Sequence, residues 1–89
     1  MEPLKFHRLL SFIKTELCFE YLEEFGIGNI APEDNIQFCG GLITSNNKLF
    51  ILDLNFSTSN SYFKIHIELY SIKCVILLLS FIENGGEIF

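Results

Sequence analysis

The 89 residues leave room for one domain, and a hydrophobic content of 49% with ten Phe supplies more apolar surface than one small core absorbs. That composition excludes an intrinsically disordered chain. A net charge of −5, with one Arg and five Lys, lacks the basic footprint of a nucleic-acid binder.

The acidity is local. Residues 15–34 hold Glu16, Glu20, Glu23, Glu24, Glu33 and Asp34 and no base, whereas Lys5, Arg8 and Lys14 precede them. Pro3 suits a helix start, and residues 4–25 carry Phe6, Leu9, Leu10, Ile13, Leu17, Tyr21 and Phe25 at helical spacing. The spacing predicts one long helix stopped at Gly26. On it, Glu16, Glu20, Glu23 and Glu24 form an acidic ridge bordered by Phe12 and Phe19. This ridge breaks two local rules. Glutamates four apart repel, and they crowd the helix end whose dipole prefers cations. Either it is a solvated face, or it docks a basic partner with Phe19 as the apolar anchor. Glu-x-x-x-Glu spacing alone holds a divalent ion weakly, and neither an Asp-rich loop nor Glu-x-x-His accompanies it, so no metal is expected.

Gly26-x-Gly28 follows a helix, whereas a Rossmann turn follows a strand, so it predicts no nucleotide site. Residues 36–44 and 48–56 read as strands joined through Ser45-Asn46-Asn47, and residues 62–70 as a third, alternating cleanly. Gly40-Gly41 lacks phosphate-loop spacing and suggests a sheet bulge, which leaves the facing of the first strand open. With Asn46-Asn47 as the turn, Thr44 faces Leu49 and Ile43 faces Phe50. Matching inward sets then put Phe56 opposite Phe63 and Asp53 opposite His66.

Residues 72–83 read as a short buried helix closed by Asn84-Gly85-Gly86, although their β-branched residues also suit a strand. The expected architecture is α+β: one α-β-β-β-α domain over residues 1–89, a three-stranded antiparallel meander with both helices on one face. The covered face takes Cys39, Gly41, Ile43, Phe50, Leu52, Leu54, Phe56, Phe63, Ile65, Ile67 and Leu69. The open face takes Phe38, Leu42, Leu49, Ile51, Tyr62 and Tyr70 beside Asp53, His66, Lys64 and Glu68. So many apolar side chains suit an interface, unless the terminal Glu87-Ile88-Phe89 folds over them.

Asp53 and His66 form a candidate carboxylate–imidazole pair, but no nucleophile motif such as G-x-S-x-G accompanies it. No enzyme and no cofactor are expected. Cys18, Cys39 and Cys74 are odd in number and each sits among apolar neighbours, which predicts buried free thiols and a cytoplasmic location. The longest apolar run, Cys74 to Ile82, is about half the ~20 residues of a spanning helix, so no membrane span is expected.

The α-β-β-β-α order is similar to that of double-stranded-RNA-binding domains, which place a Lys cluster at the start of the last helix. Ser71-Ile72-Lys73-Cys74 carries one base, so RNA binding does not carry over. Order and acidity also resemble type III secretion chaperones, which dimerise around an effector segment. Size and charge resemble small phage inhibitors of bacterial defence nucleases. The expected function is an acidic protein-binding module or inhibitor of the phage or pathogen type, docking through the Glu ridge, the apolar sheet face, or both. The alternative is a structural subunit or homodimeric chaperone-like component of a larger assembly, and a homo-oligomer or hetero-complex is expected in either case.

Overall fold

A computed structural model describes residues 3–87. In chain order it contains β1 (Leu4–Lys5), α1 (Phe6–Glu16), β2 (Tyr21–Phe25), β3 (Asn35–Asn46), β4 (Leu49–Ser57), β5 (Tyr62–Leu69) and α2 (Ile72–Glu83). The strands form one antiparallel sheet in the order β1-β3-β4-β5-β2. The sheet therefore has five strands where the sequence pattern predicts three. The central β3-β4-β5 meander is present, and short strands are added at both of its edges.

The predicted helix over residues 4–25 is the principal error. Helix α1 ends at Glu16, Leu17 is already extended, and Tyr21–Phe25 pairs with β5. Glu20 extends that ladder by donating its N–H to the Glu68 carbonyl at 2.7 Å. The broken helix rules have their explanation here. In a helix the four glutamates repel one another and oppose the dipole; in a strand they are redistributed, and the β5 edge gains a backbone partner.

Helix α1 has no side-chain N-cap. Its orphan amides at Phe6 and His7 instead donate to the carbonyls of Asp34 and Pro32, both at 2.9 Å. Helix α2 is a helix, not a strand. The Ser71 hydroxyl accepts from the Cys74 amide at 3.3 Å, satisfying one orphan donor at its start. Its far end closes at Asn84-Gly85-Gly86, as the sequence predicts. Gly86 N–H reaches back to the Phe81 carbonyl and Gly85 N–H to Ile82, a Schellman closure with both glycines at positive φ. Arg8 donates to the Gly86 carbonyl at 2.7 Å and ties this turn to α1.

One face of the sheet carries the core. Leu52, Leu54 and Phe56 on β4 alternate with partly exposed neighbours, as do Phe63, Ile65, Ile67 and Leu69 on β5. Phe6 of α1 meets Phe63 edge-on at 5.1 Å, Phe63 stacks on Phe56 at 5.1 Å, and Phe12 of α1 stacks on Phe81 of α2 at 4.0 Å. Each fully buried aliphatic or aromatic side chain contributes about 1.5–3 kcal/mol. Among the described residues no polar or charged side chain is buried. No helix there is long and apolar enough to cross a membrane.

The β4–β5 register agrees with the sequence expectation, with Phe56 opposite Phe63 and Asp53 opposite His66. The β3–β4 turn does not. Asn46 faces Leu49, so the turn is Asn47-Lys48, with Asn47 at φ 60°. Thr44 consequently faces Ile51 and Ile43 faces Leu52. This two-residue slip preserves which face each side chain occupies, because the strand period is two.

A bulge between Phe38 and Gly40 makes Cys39 the extra residue, with Gly40 at φ 122°. It turns Phe38 to the covered side, where its ring lies 5.5 Å from Phe56. Phe38 is thereby removed from the predicted open-face set, and Cys39 is exposed, not covered. Cys18 is also exposed and Cys74 half-buried, so the expectation of buried thiols fails; all three are free.

Candidate functional site

The open face is built from alternate residues: Leu42 and Thr44 on β3, Ile51 and Asp53 on β4, Tyr62, Lys64, His66 and Glu68 on β5, and Tyr21, Glu23 and Phe25 on β2. His66 is its centre. Its Nδ1 lies 2.7 Å from Asp53 Oδ1 across the strands, and its Nε2 lies 2.6 Å from Glu68 Oε2 two residues along β5. A carboxylate can only accept, so satisfying both contacts requires both ring nitrogens to carry protons. The geometry therefore selects the imidazolium. The Glu68 bond, then the Asp53 bond, hold the His66 pKa above the ordinary histidine value, against an opposing effect of partial burial.

The surroundings complete a charged network. Lys64 Nζ approaches Asp53 at 3.9 Å and lies over the Phe25 ring, 4.7 Å from its centroid. Tyr21 donates its hydroxyl to Glu23 Oε1 at 2.6 Å and presents its ring edge-on to His66, 5.8 Å away. The Glu23 hydrogen bond, and then that carboxylate's charge, raise the Tyr21 phenol pKa. The His66 side chain is 19% exposed, so the ring is shielded while its partners reach solvent.

The clamp limits its own chemistry. An imidazolium with both nitrogens donating has no lone pair with which to accept a proton, so it cannot be a general base while both carboxylates hold it. Among the described residues no group of three or more His, Cys, Asp and Glu side chains is arranged to hold a metal ion. A hollow of about 580 Å³ lies elsewhere, beside His7, Arg8, Phe12 and Phe81. Arg8 is committed there to Gly86, and His7 lies 3.4 Å from Glu33.

The predicted site residues scatter. Glu16 ends α1 and Glu20 sits in the following turn, both exposed, while Glu23 joins the open face. Glu24 lies toward the covered side and pairs with Lys14 at 3.4 Å. Phe19 is half-buried against the core and is not a free anchor. No single helix carries the four glutamates, because α1 stops at Glu16. On the open face, Leu42 (62%) and Tyr62 (80%) are well exposed, Leu49 and Ile51 are half-buried, and Tyr70 is exposed just beyond β5. Glu87 lies beside α1, on the other side of the sheet, while Ile88 and Phe89 lie outside the described residues.

Sequence reasoning missed Tyr21, Phe25 and the second clamp on His66. The signal for β2 was the cluster of helix-rule violations; the signal for Glu68 was its i, i+2 spacing from His66 on one strand face. No family model, curated protein or solved structure matches this chain.

Proposed function

We propose that this chain is a small acidic binding module that docks a protein partner on its open sheet face, around the His66 clamp. One observation supports this above the rest. Tyr21, Phe25, Leu42 and Tyr62 are exposed on a face that no described element covers, around a hydrogen-bonded charged centre. Aromatic anchors beside pre-organised charges are the composition of an interface core, where rigidity limits the entropy cost of association. The net charge of −5 favours a protein, basic at its contact rim, over a phosphate backbone. Occupying a partner's surface in this way is the act of an inhibitor. Three free thiols suit a reducing compartment such as the cytoplasm.

The test is affinity capture with the wild type and with Tyr62→Asp and Phe25→Asp variants shown by circular dichroism to be folded. A purified captured protein is then titrated against each. The reading predicts at least a tenfold loss of affinity in both variants. Equal affinity across all three chains would remove the open face as the docking surface.

A further inference from the structure

The exposed apolar side chains of the open face flank its charges on both sides. Leu42 on β3 lies opposite Asp53, while Tyr21 and Phe25 on β2 lie opposite Glu68 and Lys64. The two flanks are three strand spacings apart, about 14 Å. An occupant that grips both flanks must therefore cover the charged groups between them. Those groups still reach water, Lys64 most and His66 least. Covering them removes that water.

The proton on His66 sets the cost of doing so. With both ring nitrogens protonated, the cations His66 and Lys64 balance the carboxylates Asp53 and Glu68, and the centre is neutral. Strand β2 adds two further titratable neighbours, Glu23 and Tyr21, which are exposed at the rim and hydrogen-bonded to each other. Loss of the ring proton changes two things. One ring nitrogen turns a lone pair toward a carboxylate oxygen 2.6 or 2.7 Å away, so that carboxylate loses its donor. The centre also gains an unbalanced negative charge. Taking an unbalanced carboxylate out of water is strongly unfavourable, whereas a balanced and hydrogen-bonded set is tolerated.

We propose that His66 is a proton-operated gate on docking: the charged ring lets a partner cover the open face, and the neutral ring keeps that face in water. The gate rests on the docking reading above and gives that surface its regulation. Covering the face favours the charged ring, so docking takes up a proton wherever His66 starts neutral. Affinity is therefore greatest with the ring charged and falls as pH rises through the His66 pKa. The Glu68 bond, then the Asp53 bond, hold that pKa above the ordinary 6.5, which places the fall above that value.

The free chain is tested first, by nitrogen-15 NMR of the His66 ring from about pH 5 to about pH 9. Wild type keeps both nitrogens protonated to above pH 6.5, and Glu68→Gln titrates at lower pH. A wild-type ring that titrates at or below 6.5, or that Glu68→Gln leaves unmoved, overturns the gate whatever the face binds. The purified captured protein is then titrated at about pH 6 and about pH 9, where wild-type affinity falls at least about fivefold. Folded His66→Gln, uncharged throughout, is as weak at the lower pH as wild type is at the higher. Folded Glu68→Gln shows no fall, because its centre is neutral once the ring is. Equal wild-type affinity at both pH values, or a fall of the same size in either variant, overturns the gate and leaves the docking face standing. Unchanged affinity in Tyr62→Asp and Phe25→Asp at the lower pH removes the docking face, and the gate with it.

Discussion

The two faces of this sheet are made from the same strands and follow different physics. On the covered face Leu52, Leu54, Phe56, Phe63, Ile65, Ile67 and Leu69 are buried without a polar atom among them. On the open face Asp53, His66, Glu68, Lys64, Glu23 and Tyr21 form a charged network ringed by exposed aromatics. Burial energy scales with apolar area and is insensitive to pH, whereas an exposed network adds little stability and responds to protons and salt. Residues one apart along β5 therefore differ in what they decide: Ile65 and Ile67 hold the fold, and Lys64, His66 and Glu68 set the character of the surface.

Substitutions sharpen that contrast. The largest effect is expected from Phe56→Ala, which removes a fully buried ring between Phe38 and Phe63 and costs about 3–5 kcal/mol in urea unfolding. Tyr62→Ala, diagonal to it across the β4–β5 pair and on the open side, changes stability by less than about 0.5 kcal/mol. A similar loss in both would erase the distinction between the faces.

Gly41→Ala comes next. A Cβ there would lie 2.5 Å from the Asp53 carbonyl oxygen and 2.9 Å from Leu54 Cδ2, so β3 must move off β4, at about 1–3 kcal/mol. Gly28→Ala meets nothing within 4 Å and serves as the control, neutral or slightly stabilising in the same unfolding assay.

His66 gives a smaller effect, but one with a sign. Its folded pKa is raised above the unfolded value of about 6.5. Its contribution is therefore fully present below that value and is lost as pH rises through the folded pKa. The groups facing it are Asp53, Glu68, Glu23, Lys64 and Tyr21. Wild-type melting temperature should fall as pH climbs above about 6.5, and His66→Gln should flatten that fall. An unchanged slope in the variant would assign the pH dependence to another group. The least effect is expected from Lys14→Ala. Its 3.4 Å pair with Glu24 is half-exposed on the Lys side, and its loss costs at most about 0.5 kcal/mol by chemical denaturation.

Much of the meander was legible because its information is local. The alternation of residues 62–70, the pairing of Asp53 with His66 and the Gly85-Gly86 closure of α2 each follow from a short run of side chains. The clamp on His66 was half legible. The cross-strand carboxylate follows from register, but the Glu68 contact depends on a rotamer that reaches two residues along its own strand. The acidic ridge misled because Leu17, Tyr21 and Phe25 match a helical period as well as a strand can. Nothing within residues 17–25 shows that the edge of β5 lies waiting to be paired.

The sequence by itself determined the α+β class, the three central strands and most of the apolar set that fills the covered face, while it left residues 72–83 open between helix and strand. Periodicity and turn chemistry act over a few residues, and they were sufficient there. Only the tertiary structure decided that the first helix stops at Glu16, that β1 and β2 complete the sheet, and that Phe38 turns inward at the Cys39 bulge. Those outcomes rest on backbone groups that must find partners far along the chain, and a local pattern carries no record of which distant edge will supply them.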